Sequence, residues 1–560
     1  MGKDMATNWQ NISKEAQANL LQSIPPRWRI DATSYDHLSD VTRVPLTCGL
    51  LSPRQIEITE LTVTELAACI RSRALRATEI LEAFVGRAAI AHQLVFCLTD
   101  WFYDEALERC KALDAMLDSG GEPIGPLHGI PVALKDTYSV KGHVTTRGYV
   151  INKAEPTISG HDSDIVRILR EAGAVFFCRS AMPQTGFILE TVSNLWGRTL
   201  NPFNRNLGAG GSSGGDGALV AMKGCPIAPS SDIGGSIRAP AAFNGLYALR
   251  PTAMRVPKNL WEGTMTGQMS IRDSAGPVCH SVDDVRLFTR LLVANEKARY
   301  DTNAVPVPWR EVKLPQKLCV GIMKWDRVVM PQPPVLRAIE HTQRVLLQAG
   351  YEVVEFEPPF DCWELVKCFF DINFQMGGQD TIVKVTDAGE PLVPAFTDLL
   401  KVYSAMSLTA SESMQLNLKM RAFKVHFANA WDKTKDSTPT GHPIDALICP
   451  VAPSAGIPHD FNIYWGYTCM WNLLDYPSTV LPIPNFKITS ETDPPDLAYD
   501  PLTTNPYDKA NHEMYNPSLF SNQPSTIQIV GRPFDDEELI EITAAIDEQL
   551  RRRDIVSPKL

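Results

Sequence analysis

Three short segments of this chain hold residue types that could act on a carbonyl or a phosphate. The first is Gly208-Ala209-Gly210-Gly211-Ser212-Ser213-Gly214-Gly215-Asp216-Gly217, followed by a helix-like run over 218–222. Glycines ahead of a helix leave backbone N–H groups open and reach conformations closed to other residues. A phosphate cradle would need GxxxxGK[ST] or a GxGxxG frame, and neither fits. A nucleophile elbow needs GxSxG, which Gly210-x-Ser212-x-Gly214 satisfies. A flexible loop that permits close packing needs no chemistry, and most isolated Gly-rich runs are of that kind.

The second segment is Ser231-Asp232-Ile233-Gly234-Gly235-Ser236-Ile237-Arg238-Ala239-Pro240. Two glycines before a serine leave successive N–H groups free to cup a developing oxyanion. Gly-Gly-Ser by itself is also an ordinary turn. The third is Gly129-Ile130-Pro131-Val132-Ala133-Leu134-Lys135-Asp136. A lysine after an apolar run is usually a strand-end residue reaching for water. It becomes a base only if it is desolvated, which lowers its pKa and leaves a neutral amine.

Taken together and in this order, the segments resemble the amidase-signature family, whose pattern runs GxPxxxKD, then GGSSGG, then TDxGGSIRxPA. The separation of 24 residues between Ser212 and Ser236 is also that family's. Further segments resemble its fungal acetamidase and general-amidase branch: Glu190-Thr191, Asn194-Leu195-Trp196-Gly197-Arg198, Asn472-Leu473-Leu474-Asp475-Tyr476-Pro477 and Val530-Gly531-Arg532. The likeness runs from about residue 57 to residue 550. Ser231 stands where the family usually has Thr, and Asp216 where many members have Glu or Ser. Residues 186–189 and 482–524 match less well.

The resemblance implies a serine hydrolase that cleaves the C–N bond of a small carboxylic amide to an acid plus ammonia or an amine. Ser236 would form the acyl-enzyme. Ser212, joined to Gly211 by a cis bond, would relay its proton to an uncharged Lys135. The N–H groups of Ile233, Gly234, Gly235 and Ser236 would hold the oxyanion. Gly211, Ser213, Asp232 and Arg238 would support these groups, with Asp232 hydrogen-bonding in its loop rather than acting as a base. Met182, Thr185, Leu189, Trp471 and Tyr476 would line a pocket for an aliphatic or aryl acyl group. No metal and no cofactor are implied, and a homodimer is consistent with the family. Two other hydrolase readings remain: an α/β-hydrolase esterase with Ser212 as nucleophile, and a glutamine amidase subunit that passes ammonia to a partner. A Ser-His-Asp site needs a histidine oriented by an acid. His161 and His280, the histidines nearest the serines in sequence, stand alone. A binding protein without activity is disfavoured because Lys135, Ser212 and Ser236 are all present.

Such residues need strand ends and helix starts to hold them. Apolar runs at 130–134, 174–178, 318–323 and 351–356 read as buried strands, with helical periodicity over 163–172 and 335–348 between them. That alternation predicts an α/β fold: one large α/β/α sandwich with a mixed, mostly parallel central sheet flanked by helices. Thr62 and Glu65 form a capping box that opens a long helical stretch, and a second helix spans about 103–117. Residues 1–56 read as a partly helical N-terminal extension and 57–560 as the catalytic domain. Within the domain, 305–315 is a Pro-rich linker that could join two lobes, and 482–524 is a surface excursion.

Composition agrees with a soluble enzyme. The 560 residues are 44% apolar and 21% charged, with a net charge of -11 and no basic block for nucleic acid. Twelve cysteines lie without a CxxC pair, which suits reduced thiols in the cytoplasm. The N-terminus lacks a signal-peptide core. No apolar run approaches the roughly 18 residues of a membrane span. The final Pro558-Lys559-Leu560 only partly matches a peroxisomal Ser-Lys-Leu address.

Overall fold

The computed structural model describes residues 8–556 apart from 260, 262–264, 266, 297–300 and 503–504, so the 558–560 tripeptide lies outside the described residues. Strands β1 (Leu98–Trp101), β2 (Pro131–Lys135) and β3 (Val175–Ser180) form a small sheet in the order β1-β3-β2. The larger sheet uses β4 (Ile227–Asp232), β5 (Tyr247–Arg250), β6 (Ser274–Cys279), β7 (Cys319–Ile322), β8 (Glu352–Glu355), β9 (Ala446–Cys449), β10 (Ser478–Pro482) and β11 (Thr526–Val530). Its order is β8-β7-β9-β11-β10-β5-β6-β4. Strand β2 lies beside β4, which brings the two sheets together.

The helices that bear on the site are α1 (Trp9–Ser23), α2 (Gly214–Ala221), α3 (Arg238–Phe243), α4 (Val282–Val293), α5 (Pro333–Gln348), α6 (Cys362–Asn373), α7 (Gly466–Leu474) and α8 (Asp536–Val556). Alternate strand residues feed two separate apolar layers. Tyr247 and Leu249 pack with α4, α5 and α8. Ala248, between them, packs with α2, α3, α6 and α7. A period of two along a strand sends neighbouring side chains to opposite faces, so the sheet is covered on both.

The α/β/α layering is as expected, and the sheet is mixed. The balance of strand directions differs from the expected one. Among the described residues, β7 pairs in parallel with β8 and β9, and every other ladder of the large sheet is antiparallel. The reason is connectivity. Strand β7 reaches β8 through the 16-residue α5, a crossover that keeps the two parallel, whereas β6 runs back between β4 and β5 in the opposite direction to both.

The partly helical leading segment packs onto the rest of the chain: Ile24, Trp28, Val41 and Val44 are buried in the same layer as Leu81 and Val85. Residues 305–315 join no second lobe, because the strands on both sides of them belong to one sheet. They lie along the start of α8 instead, with Arg310 Nη2 donating to Phe534 O at 2.7 Å and Asp535 Oδ1 at 2.9 Å. The 482–524 excursion carries a helix, Pro506–Met514, and is pinned to α5 by an Arg337–Asp493 ion pair at 2.6 Å.

The start of α8 is tied to the sheet by Arg255. This fully buried guanidinium lies 2.6 Å from Glu537 and 3.4 Å from Asp536. Removing it would leave the Asp536 carboxylate buried without a counter-charge, and Glu537 with only the half-exposed Arg310 at 3.3 Å. Arg255→Ala is expected to destabilise the fold by about 3–5 kcal/mol, seen as a large fall in Tm, with Arg255→Lys recovering only part.

Candidate active site

Every residue of β2 is buried, and Lys135 at its end is 1% exposed. The amine is therefore shielded from solvent, and two hydroxyls lie within hydrogen-bond distance of it. Nζ lies 2.8 Å from Ser212 Oγ and 3.0 Å from Ser231 Oγ. Burial pushes its pKa down to about 8, against the charges of Asp216, Asp232 and Asp273, which favour the ammonium. The next residue, Asp136, pins the strand end. Its carboxylate accepts from the N–H groups of Thr146 at 3.1 Å and Arg147 at 3.0 Å, and from the Thr146 hydroxyl.

Ser212 is delivered by the Gly-rich segment just ahead of α2. The Gly211–Ser212 peptide bond is cis. Gly211 packs so closely that a Cβ there would stand 2.6 Å from Glu190 N and Ile188 O. Thr191 fastens both ends of the turn, donating from Oγ1 to Gly210 O and accepting from Gly214 N, each at 2.9 Å.

Ser236 sits on the loop between β4 and α3 and is 4% exposed. Asp232 organises that loop. It accepts from Gly235 N at 2.8 Å and Ile237 N at 3.1 Å, and from Asn472 Nδ2 at 2.9 Å. Arg238 Nε and Nη2 each reach it at 3.0 Å. Burial alone would raise the Asp232 pKa, but the Arg238 charge and these hydrogen bonds hold it well below the usual carboxylate range. Arg238 is itself satisfied by Thr468 O, Gln528 Oε1 and Asn472 Oδ1. Both residues are therefore placed to hold the loop in shape.

This bonding corrects the expected oxyanion set. The Gly235 N–H already donates to Asp232, so the donors left as candidates are those of Ile233, Gly234 and Ser236. Gly235 serves the loop through its backbone: its φ is +132°, and a Cβ there would stand 2.5 Å from Thr468 Oγ1. Ser213 makes only a long contact, Oγ to Ser231 O at 3.5 Å.

The pocket residues divide. Met182, Thr185 and Leu189 are buried on the segment that passes Gly211, with Thr185 Oγ1 accepting from Phe187 N at 3.2 Å. Trp471 and Tyr476 are instead part of the aromatic core. Their rings lie 5.6 and 5.0 Å from that of Phe427. The aromatic groups against the Ser236 loop are Trp465 and Phe369, which a Cβ on Gly234 would meet at 2.9 and 3.0 Å. Phe187 packs on both, at 5.2 and 6.2 Å between ring centroids. Sequence gives no signal for Trp465 or Phe369, because they reach the loop from α6 and from the start of α7. Thr468 and Gln528 are equally silent there.

Comparison with known proteins decides the family. The family model described as Amidase matches residues 79–540. The chain belongs to the amidase family. An amidase of Gibberella zeae is 55% identical to it, over 97% of this chain and all of that protein. An acetamidase of Emericella nidulans is 33% identical over 98% and 99% of the two chains. Among solved structures, a fatty acid amide hydrolase superposes with a TM-score of 0.90 at 29% identity, covering 98% of this chain and 96% of that one. The amidase therefore has the amidase-signature fold, which sets aside an α/β-hydrolase esterase built on Ser212. His280, in this amidase, contacts Val220 O at 2.9 Å. No helix among the described residues is long and apolar enough to cross a membrane.

The Asp232–Arg238 pair makes a prediction. Asp232→Ala would strand a guanidinium that is 0% exposed. It is expected to lower stability by about 3–5 kcal/mol and to cut amidase activity at temperatures where the fold survives. Thermal melts and kcat on one protein preparation check both.

Proposed function

We propose that this amidase hydrolyses small neutral carboxylic amides through an acyl-enzyme on Ser236, with Ser212 and Lys135 carrying the proton. The observation that supports it is the Lys135 amine, shielded from solvent and 2.8 Å from Ser212 Oγ. When the amine is neutral, that contact can run from the hydroxyl to the nitrogen. Ser236 Oγ attacks the carbonyl carbon, its proton passing to Ser212 as the Ser212 proton passes to Lys135. The oxyanion is met by loop N–H groups. Lys135 returns a proton through Ser212 to the amide nitrogen, and the C–N bond breaks to release ammonia or an amine. Water then attacks the ester carbon, giving up one proton along the same relay. The acid leaves and Ser236 regains its hydroxyl.

The acyl group we infer is aliphatic or aryl. Phe187, Phe369 and Trp465 offer an apolar wall beside the Ser236 loop, with no charged side chain among them. Asn373, which ends α6 one turn after Phe369, lines a cavity of about 190 Å³ with Met265, Gln268 and Met376. The relatives' names, acetamidase and fatty acid amide hydrolase, span short and long apolar acyl groups. An ester could load the same serine.

Ser236→Ala is expected to abolish labelling by a fluorophosphonate and to lower kcat by roughly 10⁴-fold or more. Labelling that survives in Ser236→Ala refutes the assignment. Because the neutral amine is the active form, kcat/KM should rise with pH through about 8, and Lys135→Ala should remove that rise along with nearly all activity. In a substrate panel, amides with uncharged aliphatic or aryl acyl groups should outpace charged ones, and the reverse order would refute the acyl-group inference.

A further inference from the structure

Three carboxylates lie close enough to Lys135 for their charge to act on its amine: Asp216, Asp232 and Asp273. Two of them have a cation of their own. Asp232 is paired with Arg238 at 3.0 Å, and Asp273 with Lys258. Asp216 has no ion-pair partner among the described residues. It is 0% exposed, and its oxygens accept from the hydroxyl of Ser180 and, at 2.6 Å, from that of Ser230.

Those serines come from the strands on either side of Lys135. Ser180 ends β3 and stands opposite Lys135 in the parallel ladder. Ser230 lies in β4, one residue before Ser231, whose hydroxyl is 3.0 Å from the amine. Asp216 itself sits in the first turn of α2, just beyond Ser212. One buried carboxylate thus joins β3, β4 and the helix that follows Ser212, around the end of β2.

We propose that Asp216 is the positioning residue of the relay, strapping β3 to β4 across the end of β2 and supplying the uncompensated charge that holds the Lys135 amine between Ser212 and Ser231. This rests on the reading of Lys135 as the proton acceptor. The other ionisable groups facing Asp216 are Tyr138 and the thiols of Cys97, Cys178 and Cys225, all kept neutral by burial. Among the described residues, Lys135 is the cation that answers this charge. Burial raises the Asp216 pKa to about 6 against the pull of Ser180, Ser230 and Lys135, so the group is ionised where the amidase would work. Its charge then favours the ammonium form of Lys135, opposing the effect of burial. Asp216 both places the amine and sets the pH at which it becomes a base.

The test needs no knowledge of the natural amide: the rate of Ser236 labelling by a fluorophosphonate is followed against pH, beside a thermal melt of each variant. Asp216→Asn keeps the shape and removes the charge. Its labelling midpoint is expected to move down by about half to one pH unit, and its plateau rate to fall about ten-fold. Asp216→Glu, with the charge restored, should return the midpoint to the wild-type value. Ser230→Ala removes one leg of the strap and keeps the charge, so it should lower the plateau without lowering the midpoint. A folded Asp216→Asn whose profile overlays the wild type overturns the inference. If Asp216→Asn does not fold, wild-type plateaus in Ser230→Ala and Ser180→Ala overturn it, and lowered plateaus at unchanged Tm support it. Lys135→Ala separates the two levels. If that variant labels like the wild type at every pH, the relay reading fails and takes this inference with it. If labelling depends on Lys135 but not on Asp216, only the inference fails.

Discussion

A buried amine is the constraint around which this amidase is arranged. Desolvation disfavours the ammonium form, so a lysine at the end of a strand buried on both faces drifts towards neutrality without any special partner. Two hydroxyls at hydrogen-bond distance can accept from the ammonium, and either can donate to the neutral amine. Full ion pairing would have restored the charge, and the carboxylates nearby are mostly committed elsewhere. Asp232 belongs to Arg238 and Asp273 to Lys258. Asp216 alone leaves its charge open to the amine, at a distance no direct salt bridge spans.

The same low dielectric explains the loop that carries Ser236. A charge in the interior must be paired and hydrogen-bonded or it is expelled. Asp232 and Arg238 meet that demand mutually, and their remaining valences are taken up by backbone groups of the loop and by Thr468, Asn472 and Gln528. The loop is therefore shaped from inside by an ion pair and from outside by α7 and β11. Within it the Gly235 N–H is committed to Asp232.

Aromatic residues fill two separate places. Phe427, Trp431, Trp471 and Tyr476 form a core cluster under the sheet. Phe187, Phe369 and Trp465 form a layer against the Ser236 loop. Both sets are aromatic, and the second is the one that lies against the Ser236 loop. The difference lies in which face each residue occupies: at α7, Trp465, Thr468 and Asn472 turn towards the loop, and Trp471 towards Phe427.

The chain's own order of residues carried the chemistry. Lys135, Ser212 and Ser236 stand in local motifs whose glycines and apolar neighbours are contiguous, so their types and spacing were legible before any coordinates. The main elements were legible too: the capping box at Thr62 and Glu65 is formed, although the expected long helix breaks at 72–76 into Val63–Arg71 and Ala77–Val95. What depended on long-range contact was not. Strand direction, the burial of Ile24, Trp28, Val41 and Val44, and the packing of Phe187, Phe369 and Trp465 all arise from groups far apart in sequence. Periodicity reports which face of an element is apolar, but it says nothing about which other element covers that face. Only the folded chain decides that Trp465 meets the catalytic loop while Trp471, six residues on, meets the core.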